Sequence, residues 1–429
     1  MNLKSKLIGT LLAASVVMGY TPSALADTSL QFYFPVAVGG IAADTIDALT
    51  KDYVSKTPGV KIDAVYAGSY QDTITKALTA VRGGNPPQLS VITSPSLFTL
   101  IDEDAIIAIE DLVTTDEERA WLKGFYPAFM ENSTTGGKIY SVPFQRSTPV
   151  LYYNKEAFKK AGLDPNKPPA TWDEMVEYGK KLTLKDASGK VTQWGVRIPS
   201  SGFPYWLFQA LCTENDTFLM NGDGNETYFD KPGAIEALQY MVDLSKKHKV
   251  MAPGVNEWGT TPKAFFEGET AMMWTTTGNL TNVRKNAPFD FGVAMLPAKK
   301  RRGAGVGGGN FYIFKGSSDE QNKASLEFLK WITAPEQAAR WTIATGYIAP
   351  RADAWETQTM KDYVKDFPPA LVAKKQLEFA TAEFSTHENL KVTKILNDAL
   401  LAAITGTKTP EKSLQDAQKK AEKVLKAYR

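Results

Sequence analysis

Val142-Pro143-Phe144-Gln145-Arg146-Ser147-Thr148-Pro149-Val150-Leu151-Tyr152-Tyr153-Asn154 joins a short polar stretch to an apolar run. Val150 to Tyr153 is β-branched and aromatic and has the length of a buried strand. Pro143 and Pro149 each remove a backbone donor and fix φ, so Gln145-Arg146-Ser147-Thr148 is expected to form a held turn. A guanidinium and two hydroxyls at the mouth of a buried strand suit an oxyanion or a polyol. The same residues equally suit a solvated surface turn.

Upstream, Leu30–Phe34 reads as a strand, and Ile41–Ser55 has helical spacing through Ile46, Leu49 and Tyr53. Val60–Tyr66 alternates as a second strand, Thr73–Arg82 is a second amphipathic helix, and Leu89–Ile92 is a third strand. Strand and helix alternate, which argues an α/β architecture with a mainly parallel sheet. Ligands of such sheets sit beyond the carboxyl ends of the strands. That rule selects the loops Pro35–Gly40, Ala67–Tyr70 and Thr93–Ser96.

Downstream, Thr171 is placed as a helix N-cap, with Glu174 completing a capping box. Phe203-Pro204-Tyr205-Trp206-Leu207-Phe208 sets four aromatic rings beside Ser200-Ser201-Gly202. Core packing and a sugar or polyol platform both account for that mixture. Glu257-Trp258-Gly259 falls in a loop. The strand Ala271–Trp274 opens onto Thr275-Thr276-Thr277-Gly278-Asn279, whose hydroxyls and helix-start N–H groups suit an anionic or polyhydroxyl guest. Gly305-Val306-Gly307-Gly308-Gly309-Asn310 precedes the strand Phe311–Phe314 and lets a ligand approach the backbone. It is not a dinucleotide fingerprint, in which the glycines follow a strand and open a helix.

Composition excludes several classes. The net charge of +2 gives no electrostatic reason to bind nucleic acid or anionic lipid. One cysteine rules out an internal disulfide, and two histidines without ligand spacing leave no metal site. Met1–Lys6 is basic, Leu7 to about Gly19 is apolar, and Ala24-Leu25-Ala26 ends the run as a cleavage site would, so a signal peptide is expected over 1–26. No later stretch is long and apolar enough to be embedded in a membrane.

Three stretches carry a family resemblance: Tyr66-x-Gly68-x-Tyr70, Pro143-Phe144-x-x-Ser147-Thr148-Pro149-Val150-Leu151-Tyr152-Tyr153-Asn154, and Lys155-x-Ala157-Phe158-Lys159-Lys160-Ala161-Gly162-Leu163-Asp164-Pro165. Gly307-Gly308 and Thr345-Gly346-Tyr347 extend it. The chain resembles the extracellular solute-binding proteins (family 1) of ABC importers, and within them the glycerol-3-phosphate/glycerophosphodiester-binding branch. The resemblance implies an α/β, two-lobed periplasmic binding protein fold with a hinge and an interlobe ligand cleft. It implies residues 27–143 and 291–344 in an N-terminal lobe, and 144–290 and 345–429 in a C-terminal lobe. The implied partners are a small-molecule ligand and the importer's membrane permease. No cofactor and no oligomeric partner is expected.

The resemblance carries ligand contacts onto Tyr70, Ser147, Trp206, Thr277 and its neighbour Thr276, Gly307 and Tyr347. Two departures stand out. Thr93 falls near a family carboxylate, and no arginine occurs over Thr386–Leu390, near the family's phosphate-gripping arginine. Arg146 and Arg351 are the candidates to replace that charge. With Phe203, Trp258 and Gly308 these complete the candidate ligand site. The expected solute is a glycerol phosphate or glycerophosphodiester delivered in the periplasm, with a sugar or another organic anion as the alternative. A secreted hydrolase is the competing class, but no G-x-S-x-G elbow and no histidine triad supports it.

Overall fold

The computed structural model describes residues 28–36 and 41–429. The expected leader over 1–26 and part of the loop Pro35–Gly40 lie outside the described residues.

Two sheets organise the chain. The first runs Val60–Tyr66, Thr28–Phe34, Leu89–Thr93, Gly307–Phe314 and Ile106–Ile107, with Val142–Ser147 also paired to Gly307–Phe314. The second runs Phe291–Ala294, Pro149–Asn154, Thr270–Thr276, Val191–Arg197 and Leu184–Lys185. The strands at 28–34, 60–66 and 89–93 are parallel, as alternation with helices requires. Gly307–Phe314 runs antiparallel to each of its partners, and Pro149–Asn154 to both of its neighbours. The sheets are therefore mixed, not mainly parallel. Several of the antiparallel strands adjoin the crossing at Thr148, and local periodicity carries no information on that pairing.

The expected turn at Gln145–Thr148 is not a turn. Gln145, Arg146 and Ser147 complete a fully buried strand, and Thr148 alone separates it from the next strand, in the other sheet. Their backbone is held by the glycine run: Ser147 pairs with Gly307, Arg146 with Gly308 and Gln145 with Gly309. Gly308 has φ +104°, and a Cβ there would lie 1.7 Å from the Gln145 carbonyl oxygen. Only glycine fits so close a crossing. Phe291–Ala294, expected in the N-terminal lobe, pairs with Pro149–Asn154 in the second sheet.

Each sheet buries its own core. Leu30, Phe32 and Phe34 alternate inward and meet Ile46, Leu49 and Tyr53 of the helix Ile41–Lys56 and Phe328 of the helix Asp319–Ile332. Burying one such phenylalanine fully contributes about 2–3 kcal/mol. In the second lobe all eleven residues of the helix Pro204–Glu214 are buried, so this helix is the centre of a core. Thr171 caps the helix Trp172–Leu182 through Glu174 N–H at 3.1 Å. The capping box is only half made, because the Glu174 carboxylate accepts from Ala170 N–H instead.

Candidate functional site

The carboxyl ends of three strands converge between the two sheets. Leu89–Thr93 delivers Thr93, Val142–Ser147 delivers Ser147, and Thr270–Thr276 delivers Thr276 to one pocket. Tyr70 reaches it from the first position of the helix Tyr70–Arg82, whose N-cap Ser69 makes a complete capping box with Asp72. Phe203 and Trp206 enter from the start of the helix Pro204–Glu214, and Trp258 from the loop packed beside it. Gly308, Tyr347 and Glu383 close it. The enclosed space is about 30 Å³, so the walls nearly meet.

The rings form a braced wall. Trp258 meets Phe203 at 5.2 Å and Trp206 at 6.1 Å, both edge-on. Trp206 Nε1 donates to the Val306 carbonyl at 3.0 Å, and a Cβ on Gly307 would sit 2.7 Å from the indole. The role of Gly307 is thus to let Trp206 lie against the crossing strand. The Tyr70 hydroxyl donates to Gln145 Oε1 at 2.8 Å, and Gln145 Nε2 donates to the Pro35 carbonyl at 3.2 Å. Burial pushes the Tyr347 hydroxyl up to about 12, so it stays a neutral donor near neutral pH.

Glu383 is the residue that sequence reasoning missed. It is buried, and its carboxylate accepts from the Tyr205 hydroxyl at 2.8 Å and the Ser94 hydroxyl at 3.0 Å. Its backbone is pinned by Asn132, which accepts from Glu383 N–H at 2.7 Å and donates to its carbonyl at 2.9 Å. Glu383 lies between helices in Ala382-Glu383-Phe384, where no periodic pattern applies. Its apolar flanks were the one available hint.

Burial pushes the Glu383 carboxyl up to about 7, opposed by the Arg146 cation and by hydrogen bonds from Tyr205, Ser94 and Gly308. The folded chain therefore keeps this proton between its ordinary value of 4.5 and about 7, whereas the unfolded chain releases it. Stability must fall as pH rises through that window, by roughly 3 kcal/mol if the group ionises fully. Glu383→Gln is expected to flatten the dependence of the urea midpoint on pH between 5 and 8, whatever its effect on absolute stability. Equal slopes in both proteins would contradict this assignment.

Four of the residues selected from sequence do not line the pocket. Arg146 lies beneath it with no exposed surface, its Nη1 donating to Asn310 Oδ1 at 3.2 Å and its guanidinium 5.1 Å from the Phe129 ring centroid. Its Nε and Nη2 have no protein partner. Arg351 is turned elsewhere: it pairs with Asp353 at 2.6 Å, donates to the Trp121 carbonyl at 2.8 Å and covers the Phe125 ring. Thr277 braces the crossing, its backbone N–H donating to the Thr148 carbonyl at 3.0 Å. Gly307 acts through Trp206. Tyr70, Thr93, Ser147, Phe203, Trp206, Trp258, Thr276, Gly308 and Tyr347 are brought together.

The lining thus offers aromatic faces, hydroxyls and one carboxylate, with no arginine or lysine among the described residues that form it. Among the described residues no three His, Cys, Asp or Glu side chains cluster as metal ligands, and no helix is long and apolar enough to cross a membrane.

Comparison with known proteins places this architecture. Residues 48–369 match the family described as bacterial extracellular solute-binding protein, and the chain belongs to that family. It is a solute-binding protein of the kind that serves ABC importers. It is 28% identical to the sn-glycerol-3-phosphate-binding periplasmic protein UgpB of Salmonella typhimurium, over 98% of this chain and 97% of that one. The Yersinia pseudotuberculosis protein of the same name is 29% identical, over 96% of each chain. Among solved structures, UgpB from Mycobacterium tuberculosis in complex with glycerophosphocholine superposes with a TM-score of 0.81 at 22% identity, covering 93% of this chain and 99% of that one. The cyclic alpha-maltosyl-1,6-maltose binding protein of Arthrobacter globiformis gives 0.79 at 23% identity, covering 94% and 100%. At these identities the structural likeness establishes the two-lobed fold alone.

Proposed function

We propose that this chain captures a small, neutral, polyhydroxylated solute, a sugar, between its lobes and presents it to the membrane permease of an ABC importer. The observation that carries this reading is the charge of the pocket wall. It holds the Glu383 carboxylate and no cation, because Arg146 lies beneath the floor and Arg351 is engaged elsewhere. A phosphate dianion finds no cation in contact with this wall, and Glu383, whose carboxyl ionises at about 7, repels it as the proton leaves. Hydroxyls can donate to that carboxylate while the rings of Trp206 and Trp258 cover the apolar face of a sugar. Closure follows population shift: the solute stabilises the closed arrangement only through contacts that both lobes supply. Ser147 and Thr276, on either side of the Thr148 crossing, are such contacts.

The reading includes export by the leader over 1–26 and action in the periplasm, the compartment named for the glycerol-3-phosphate-binding relatives. It also makes the chain a carrier and not a hydrolase. Glycoside hydrolysis needs two carboxyl groups flanking the bond, and the pocket wall presents one. A second reading, capture of glycerol 3-phosphate or a glycerophosphodiester, is favoured by those relatives and by the two unpartnered nitrogens of Arg146. Thermal-shift screening decides between the two, because a tight ligand raises the melting temperature by mass action. Stabilisation by sugars and not by glycerol phosphates is expected. The reverse result would replace the first reading with the second.

A further inference from the structure

The strap 382–388, which leads into the helix Asn389–Thr405, has no regular structure, yet its residues alternate as a strand's do. Phe384 meets Phe229 at 5.6 Å inside the core of the second sheet. Its odd-numbered neighbours reach the other way. Glu383 accepts from the Ser94 hydroxyl at 3.0 Å, Ser385 Oγ donates to the Pro95 carbonyl at 2.8 Å, and His387 Nδ1 lies 2.9 Å from Asp102. Ser94, Pro95 and Asp102 belong to the turn and the helix Leu97–Asp102 that follow the strand Leu89–Thr93. Leu97 and Leu100 of that helix pack with Ile92 and Tyr312 of the first sheet. The three rungs therefore tie the second half of the molecule to the first.

The last rung lies at the rim and carries a titratable pair. The His387 ring is held between Phe98 of the first half, at 4.6 Å, and Tyr428 of the second, at 4.3 Å and nearly parallel. Its backbone N–H donates to the Gly224 carbonyl at 2.9 Å. A Cβ on Gly224 would lie 2.5 Å from the Phe98 ring, so this glycine lets the two halves meet. Both Asp102 oxygens are within 3.1 Å of Nδ1, and a carboxylate only accepts, so Nδ1 carries the hydrogen. The other charges here are matched: Glu103 pairs with Arg82 at 2.7 Å and Glu388 with Lys391 at 2.8 Å. Tyr428 stays neutral, its hydroxyl pushed further up by burial. Asp223 lies in the turn that holds Gly224, and Arg429 Nε donates to the Asn225 carbonyl. Asp102 has no lysine or arginine partner among the described residues, which leaves it to His387.

We propose that His387 and Asp102 form a protonation-gated latch across the cleft, so that acidification favours the closed arrangement. An imidazole ordinarily takes its proton at about pH 6.5. Closure brings the imidazolium a carboxylate, and opening withdraws it. The closed form thus binds the proton more tightly, and its share rises as pH falls through that range and drops as pH rises. A neutral imidazole keeps the hydrogen bond from Nδ1 but loses the ion pair. His248, the other histidine, lies in a groove with Trp172, Tyr240 and Asp243 of the second half, so opening does not change its surroundings. Glu383 acts in the same direction as His387, because burial in the closed pocket favours its proton. The latch rests on the reading that the halves close on a solute, and it adds a control that works whatever the solute is.

The test uses the chain without its leader and without solute. Spin labels on Lys51→Cys and Lys420→Cys, exposed positions on opposite halves, report the separation of the halves by pulsed electron paramagnetic resonance. Cys212 is buried and stays unlabelled. A Glu383→Gln background leaves His387 as the titrating link. There the closed-to-open ratio is expected to be about three- to fivefold higher at pH 5.5 than at pH 8.0, the worth of a partly shielded ion pair. His387→Gln and Asp102→Asn, which keep polar groups of similar size at the rim, should each reduce that change to less than about 1.5-fold. Unchanged melting temperatures show that folding is intact. A pH response that survives either substitution, or a separation that does not move with pH in the background, would overturn the latch. Neither result bears on which solute the pocket takes, which the thermal-shift screen decides.

Discussion

Arg146→Ala is expected to lower the stability of the folded chain by about 3–5 kcal/mol, the usual cost of breaking a buried charge arrangement by removing one member. Arg146 is among the largest fully buried side chains. Its loss leaves a cavity against Phe129, removes the donor to Asn310 Oδ1 and strips Glu383 of its nearest cation. Asn310 also donates to Ser133 and Ser141, both at 3.0 Å, so the whole polar floor loses its anchor. Glu383 can relieve part of the penalty by holding its proton, so the loss should be larger at pH 8 than at pH 6. Denaturant unfolding of Arg146→Ala, Glu383→Gln and the double variant at both pH values checks this. A variant as stable as the parent would show that Arg146 is not part of the floor. This replaces the expectation from the sequence, in which Arg146 was a candidate ligand contact.

Trp206→Ala is expected to weaken solute binding about 100-fold, as loss of a buried aromatic anchor typically does. Two jobs meet in this residue: its ring walls the pocket, and its indole N–H holds the Val306 carbonyl beside the crossing strand. Trp206→Phe keeps most of the face and drops the hydrogen bond, so an intermediate loss should follow. Titration calorimetry, with melting temperatures as the folding control, separates the two contributions. Unchanged affinity in Trp206→Ala would place the solute elsewhere.

Much of the site was legible because it obeys local rules. Tyr70 and Thr93 fall in loops at the carboxyl ends of strands, Thr276 ends a strand, and Phe203 and Trp206 lie where a Gly- and Pro-bearing loop opens a helix. Residues whose position depends on pairing were misread. Gln145-Arg146-Ser147 looked like a polar turn because polar residues between prolines usually are one. Here distant glycines pair with them edge to edge and bury them. Charge was the least legible property. Whether an arginine reaches a ligand depends on what lies between them, and Arg146 and Arg351 both face protein groups.

By itself the sequence determined the local elements, the alternation that makes this an α/β chain, and the family signature around Ser147–Asn154. These follow from side-chain spacing and backbone restrictions within a few residues of one another. Only the tertiary structure decided which strands share a sheet, that a single residue, Thr148, links the two sheets at this crossing, and that Glu383 and not an arginine faces the pocket. Those outcomes rest on contacts between segments distant in the chain, such as Gly308 with Arg146 and Ser94 with Glu383, where burial and pairing, and not local preference, set the free energy.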